Sequence, residues 1–195
     1  MVPLFCLMVV YWERRWREGL RPVKTFLSAG LVLGFVAVVL AHDTNLIAKF
    51  TGYKLPPQID PLRRVRGWTE TARVVGQAQQ ALRAEGKDVF IIGAHYGLVG
   101  QISFYLPEAK ARVRDAPLVY YRASARPKNQ FYFWPGYLDR KGQSAIYVQE
   151  ARRPVPPPAD LTDQFEAVQD LGLHQIKYRG RVFRTLQLFA CRNLR

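Results

Sequence analysis

The pair His95-Tyr96 is the first place where residue types in this chain point to chemistry. It follows the apolar run Val89-Phe90-Ile91-Ile92 and lies in the glycine-bearing turn Gly93–Gly97, with Gly100 just beyond. That is the carboxyl end of an expected strand, where open α/β sheets place ligands and where the first N–H groups of a helix can hold a phosphate. A histidine there can donate to a phosphate or act as a base. It can equally cap the helix. The spacing GAHYGLVG matches neither dinucleotide nor nucleoside-triphosphate loops, so a tight strand-to-helix turn is the simpler reading. No GxSxG occurs, and no Ser, Cys or Asp stands at a triad spacing. His42 and His174 lack a metal-partner pattern, and Cys6 and Cys191 form no CxxC pair, so no metal site is expected in these residues.

A second constellation is aromatic. Asn129–Tyr137 (NQFYFWPGY) holds Phe131, Tyr132, Phe133, Trp134 and Tyr137, beside Arg122, Arg126 and Lys128. Aromatic faces next to cations bind sugars, bases or lipid headgroups. The alternative is a loop that folds back over the core.

Charge narrows the partners. Across 195 residues, 29 Lys and Arg face 15 Asp and Glu, a formal net charge of +14, while 49% of the residues are hydrophobic. The chain is therefore neither globally disordered nor an acidic solvating protein. The cations concentrate in Lys110–Lys128 and His174–Arg195. Nucleic acid would explain such patches in a soluble protein. Anionic lipid or a polyprenyl phosphate explains them equally well, and only these fit a domain held outside a membrane.

The elements that position these residues begin with a membrane segment. Pro22–Ala41 is an apolar run whose only ionisable residue is Lys24. As a helix it spans about 30 Å, the thickness of the bilayer core. Met1–Trp12 is apolar but too short to span, and reads as the last part of a preceding helix. The chain is thus expected to be a fragment of a larger polytopic protein. Between them, Arg14, Arg15, Arg17, Arg21 and Lys24 outnumber Glu13 and Glu18. Short basic loops stay in the cytoplasm, which assigns residues 13–21 to that side and residues 42–195 to the periplasm of a bacterial inner membrane.

The expected organisation is a partial helix 1–12, a cytoplasmic loop 13–21, a transmembrane helix 22–41, a linker 46–59 and a domain 60–195. In that domain Asp60-Pro61 reads as the start of a helix of about five turns running to Leu82. Strands are expected at Val89–Ile92, Pro117–Tyr121 and Ala145–Val148, with helices at Leu98–Leu106 and Asp160–Glu166. Gly172–Tyr178 and Val182–Cys191 flank Arg179-Gly180 as an antiparallel hairpin. The fold class is a small, mostly parallel α/β domain with that hairpin at its C-terminal end, behind the membrane helix.

Asp60-Pro61 with Gly67-Trp68, Val89–Pro107 (VFIIGAHYGLVGQISFYLP), Asn129–Trp134 (NQFYFW) and Val182–Arg195 (VFRTLQLFACRNLR) carry a family likeness. In these residues the chain resembles the C-terminal region of bacterial polyprenyl-phosphate-dependent membrane glycosyltransferases. This family is related to the dolichyl-phosphate-mannose protein mannosyltransferases and to the aminoarabinose transferase of lipid A. The resemblance implies a multi-span enzyme that moves a sugar from a polyprenyl-phosphate donor to an envelope glycan, lipid or protein. An acidic external loop upstream would do the chemistry, together with any divalent metal. No catalytic residue is carried over onto this sequence. His95, Tyr96, Gln101, Asn129, Gln130 and Trp134 are matched positions, expected with Arg122 and Arg126 to line a substrate crevice. The rival expectation is a non-enzymatic, membrane-anchored periplasmic module that binds glycan or anionic lipid.

Overall fold

The fold is that of a computed structural model describing residues 2–114, 116–122 and 130–195. The chain divides into two compact units, Met1–Arg64 and Val65–Arg195.

The first unit is helical. Helix α1 (Val2–Arg17) runs past the apolar segment, because Glu13 pairs with Arg17 and Arg15 with Glu18 at 3.0 Å along its surface. The loop expected over 13–21 therefore shrinks to three residues, turning at Gly19 with φ +77°. Helix α2 (Arg21–His42) follows, with proline in its first turn. It is the one helix among the described residues long and apolar enough to cross a membrane, and none of its 22 residues is buried. The expected linker contains a further helix, α3 (Asn45–Thr51), ended by Gly52 in the left-handed region. The Asp60 carboxylate accepts hydrogen bonds from Thr44 Oγ1 at 3.0 Å and from the Leu62 N–H at 2.9 Å. It thus caps a short 3-10 turn, Pro61–Arg64, and not the long helix expected there. Gly67, at φ +76°, separates the two, and helix α4 starts only at Trp68 and ends at Arg83.

The second unit is a mixed α/β layer structure. Strand β1 (Val89–Gly93) is buried along its whole length, as its unbroken apolar run requires. Helices α5 (Tyr96–Tyr105) and α6 (Pro107–Arg112) lead to β2 (Val119–Tyr121). After β3 (Ser144–Glu150) come helix α7 (Ala159–Gln164), β4 (Phe165–Tyr178) and β5 (Arg181–Leu194). The strand order is β2-β1-β3-β5-β4. Pairs β1–β2 and β1–β3 are parallel; β3–β5 and β5–β4 are antiparallel. The sheet is therefore mixed, not mostly parallel. The hairpin joins through its second strand, which contributes one antiparallel ladder to β3 and one within itself. Both hairpin strands are longer than expected. Glu166 belongs to β4, and Gly172 (φ +85°) is a bulge inside the strand and not its beginning.

One face of the sheet packs against α4, α5 and α6 through Val75, Leu82, Leu98, Ile102 and Ala109. The other face is aromatic: Phe90, Tyr120, Tyr137, Tyr147, Phe165 and Phe189, closed by Leu161 of α7.

Candidate functional site

Parallel strands expose their carboxyl ends together, and β1, β2 and β3 do so on the aromatic face of the sheet. The ends interlock: Ala94 N–H donates to Val148 O at 2.9 Å, and Arg122 N–H to Gly93 O at 3.2 Å. Strand alternation puts Arg122 on the same face as Tyr120, and Tyr147 and Gln149 on that face of β3. Arg122 Nε lies 3.4 Å from Asp160 Oδ2, which the first turn of α7 supplies. Arg122 also acts electrostatically on the Tyr147 hydroxyl. That hydroxyl donates onward to Gln149 Oε1 at 3.2 Å.

The network continues inward. Gln149 Nε2 lies 3.5 Å from Gln187 Oε1, and Gln187 Nε2 donates to Asp170 Oδ2 at 2.7 Å. Gln187 is fully buried and also grips the proline-rich strap Arg152–Pro158. Val155 N–H donates to its Oε1 at 3.0 Å, and its Nε2 donates to Val155 O at 3.0 Å.

Electrostatics follow the geometry. Burial acts against the Arg122 charge, yet Asp160 and the Tyr147 hydroxyl outweigh it, and the guanidinium ends above its ordinary range. Burial raises the Tyr147 phenol, and Arg122 only partly opposes it. The carboxyl ends of β2 and β3 with the first turn of α7, together the crest of the sheet, therefore present a cation, a carboxylate and a neutral phenol. Such a set binds hydroxyl-rich or anionic ligands; it contains no nucleophile paired with a base. Among the described residues no group of three or more His, Cys, Asp or Glu could hold a metal ion.

The expected site residues separate. His95 is the N-cap of α5: its Nδ1 accepts the Gly97 N–H at 3.1 Å, leaving Nε2 as the donor of the neutral ring. Its ring stacks on Tyr96 at 4.0 Å. Gln101 is half-buried on α5. Gln130 opens the 3-10 turn Gln130–Phe133 and is exposed. The aromatic cluster splits: Tyr137 is buried against Phe90 and donates to Gln164 Oε1 at 2.8 Å, while Phe133 and Trp134 are 82% and 58% exposed. Arg126, Lys128 and Asn129 lie outside the described residues.

Of the expected residues that are described, only Arg122 joins the crest. Tyr147, Gln149 and Asp160 were missed. For Gln149 the available signal was the rule applied to His95: the polar residue directly after AIYV stands where β1 places its own carboxyl end, whereas nothing local marks Tyr147 or Asp160. The basic patches are also partly structural. Arg192 holds Glu85 at 2.7 Å, Arg112 approaches Glu108 at 3.6 Å, and Arg184 sits 3.6 Å over the Trp68 ring.

The chain matches no family model, no curated protein and no solved structure.

Proposed function

We propose that this chain is part of an integral-membrane glycosyltransferase that moves a sugar from a polyprenyl-phosphate donor to an envelope acceptor. The observation that carries the reading is α2: 22 residues, charged only at Arg21 and Lys24, with no residue buried. A helix apolar on all sides is stable only when something apolar surrounds it, and its length suits a bilayer core. The basic residues between Glu13 and Lys24 favour a cytoplasmic α1–α2 turn, with residues 42–195 in the periplasm. The resemblance of His95-Tyr96, Gln101 and Asn129–Trp134 to the polyprenyl-phosphate glycosyltransferases supports the reaction class in this reading.

In this reading the Val65–Arg195 unit binds substrate. Arg122 offers N–H donors to phosphate or sugar oxygens, and Asp160 accepts from sugar hydroxyls. The carboxylate that activates the acceptor comes from an external loop elsewhere in the protein. The rival reading, an anchored module binding glycan or anionic lipid, draws on exposed Phe133 and Trp134.

Two measurements test the proposal. Protease added outside intact spheroplasts should cut beyond residue 45; cutting only in inverted vesicles reverses the topology. In membranes carrying the complete reading frame, R122A and D160A should lower transfer from a labelled polyprenyl-phosphate sugar. Unchanged transfer removes the crest from the substrate path, and membranes with no transfer at all favour the module.

A further inference from the structure

Helix α5 has no charged residue, and its polar side chains other than tyrosine are Gln101 and Ser103. Its inner face is accounted for by Leu98, Val99 and Ile102 in the core. Its outer face is not polar either. Tyr96, Phe104 and Tyr105 are 46%, 59% and 38% exposed. Helical spacing puts Tyr96 and Phe104 two turns apart on one side, with Gly100 between them. A surface helix of a water-soluble domain would carry charge there.

The cations around this face are placed like those of an interfacial surface. Lys110 Nζ stands 4.9 Å over the Phe104 ring, a cation–π contact that holds the ammonium at the edge of the aromatic face, where an anion can share it. The turn after α6 exposes Val113, 52% accessible, next to Arg114. Glu108, the acid of α6, is turned to Arg83 at 3.1 Å and Arg112 at 3.6 Å.

We infer that the α5–α6 face docks on an anionic phospholipid surface, with Tyr96, Phe104, Tyr105 and Val113 at headgroup depth and Lys110 and Arg114 on phosphates. Aromatic side chains prefer that depth, and each cation near an anionic surface adds about fivefold to binding. The inference rests on the reading of α2 as a membrane span, which tethers the face near lipid and makes a weak contact sufficient.

The test uses the full 195-residue chain, with Cys6→Ser, in vesicles of phosphatidylcholine with or without phosphatidylglycerol. A nitroxide is placed at F104C, and at Q175C on β4 as the control. Cys191 is buried with its thiol pushed up to about 12, so it stays unlabelled. With phosphatidylglycerol, the probe at 104 should lose most of its accessibility to an aqueous nickel relaxant and gain accessibility to oxygen. The probe at 175 should keep its aqueous exposure. K110Q with R114Q should reverse the protection at 104, weakening docking about fivefold per cation. A chain that carbonate strips from the vesicles overturns both the docking and the membrane reading. A retained chain whose probe at 104 stays water-accessible overturns docking alone. Protection at 104 that depends on protein concentration and not on anionic lipid assigns the face to a second copy and overturns it too.

Discussion

The side chain of Gln187 pairs with the backbone of Val155 through both its amide atoms, at 3.0 Å each, 32 residues apart in sequence. A buried glutamine on β5 thus acts as a short strand partner for a segment that cannot make a ladder of its own, since Pro154, Pro156, Pro157 and Pro158 have no N–H. The same amide holds Asp170 on β4, so the strap, β5 and β4 are fastened at one point.

Q187L should cost about 2 kcal/mol, because it leaves the Val155 groups and the Asp170 carboxylate without their buried partner. Urea unfolding measures the loss. Trypsin cleavage after Arg152 should accelerate, reporting release of the strap; unchanged cleavage removes Gln187 as its anchor.

At the crest, D160N and Y147F should each cost less than about 1 kcal/mol, because the Arg122–Asp160 pair is partly solvated and the phenol loses one modest hydrogen bond network. On the proposed reading, their effect falls on ligand affinity, with thermal unfolding nearly unmoved. A large stability loss without a change in affinity would make the crest structural.

Alkaline pH should destabilise the α/β unit. Burial pushes the Cys191 thiol from its ordinary 9 up to about 12 and raises the Tyr147 phenol in the same direction. Both groups are neutral when protonated, so the folded state holds its protons longer than the unfolded chain. Stability is then fully present below pH 9 and falls as pH rises toward 12, by at most about 1.4 kcal/mol per unit for one group. C191A should flatten that slope in urea titrations between pH 8 and 11.

Two glycines should respond oppositely to alanine. A Cβ at Gly93 would stand 2.7 Å from Val99 Cγ2 and 3.3 Å from Val99 N, where β1 meets α5, so G93A should cost about 2 kcal/mol or more. At Gly100 a Cβ meets nothing within 4 Å among the described residues, so G100A should stabilise α5 by about 1 kcal/mol. Thermal unfolding of the two variants compares them directly.

The parts legible in the sequence are those whose cause is local. The apolar length of α2, the unbroken run of β1 and the Arg179-Gly180 turn, with φ +51° and +78°, each reflect the physics of a few neighbouring residues. Helix α3 and the extension of α1 were missed for a local reason as well: ion pairs and a glycine stop outweighed a composition that reads as loop. The long helix expected from Asp60 ends after one 3-10 turn because Gly67, in the left-handed region at φ +76°, interrupts it before Trp68.

The site depends on choices that no local pattern contains. Period-two alternation says which side chains share a face of a strand, but not which strand lies beside it. Only the order β2-β1-β3-β5-β4 brings Arg122 beside Tyr147, and Gln149 beside Gln187 in register. Only the packing of α7 on that face brings Asp160 to Arg122. The sequence alone determined the apolar helix, the strand-forming segments and the cationic excess. The fold decided which cation meets which carboxylate, because burying the aromatic face in one sheet leaves that network a single place to close.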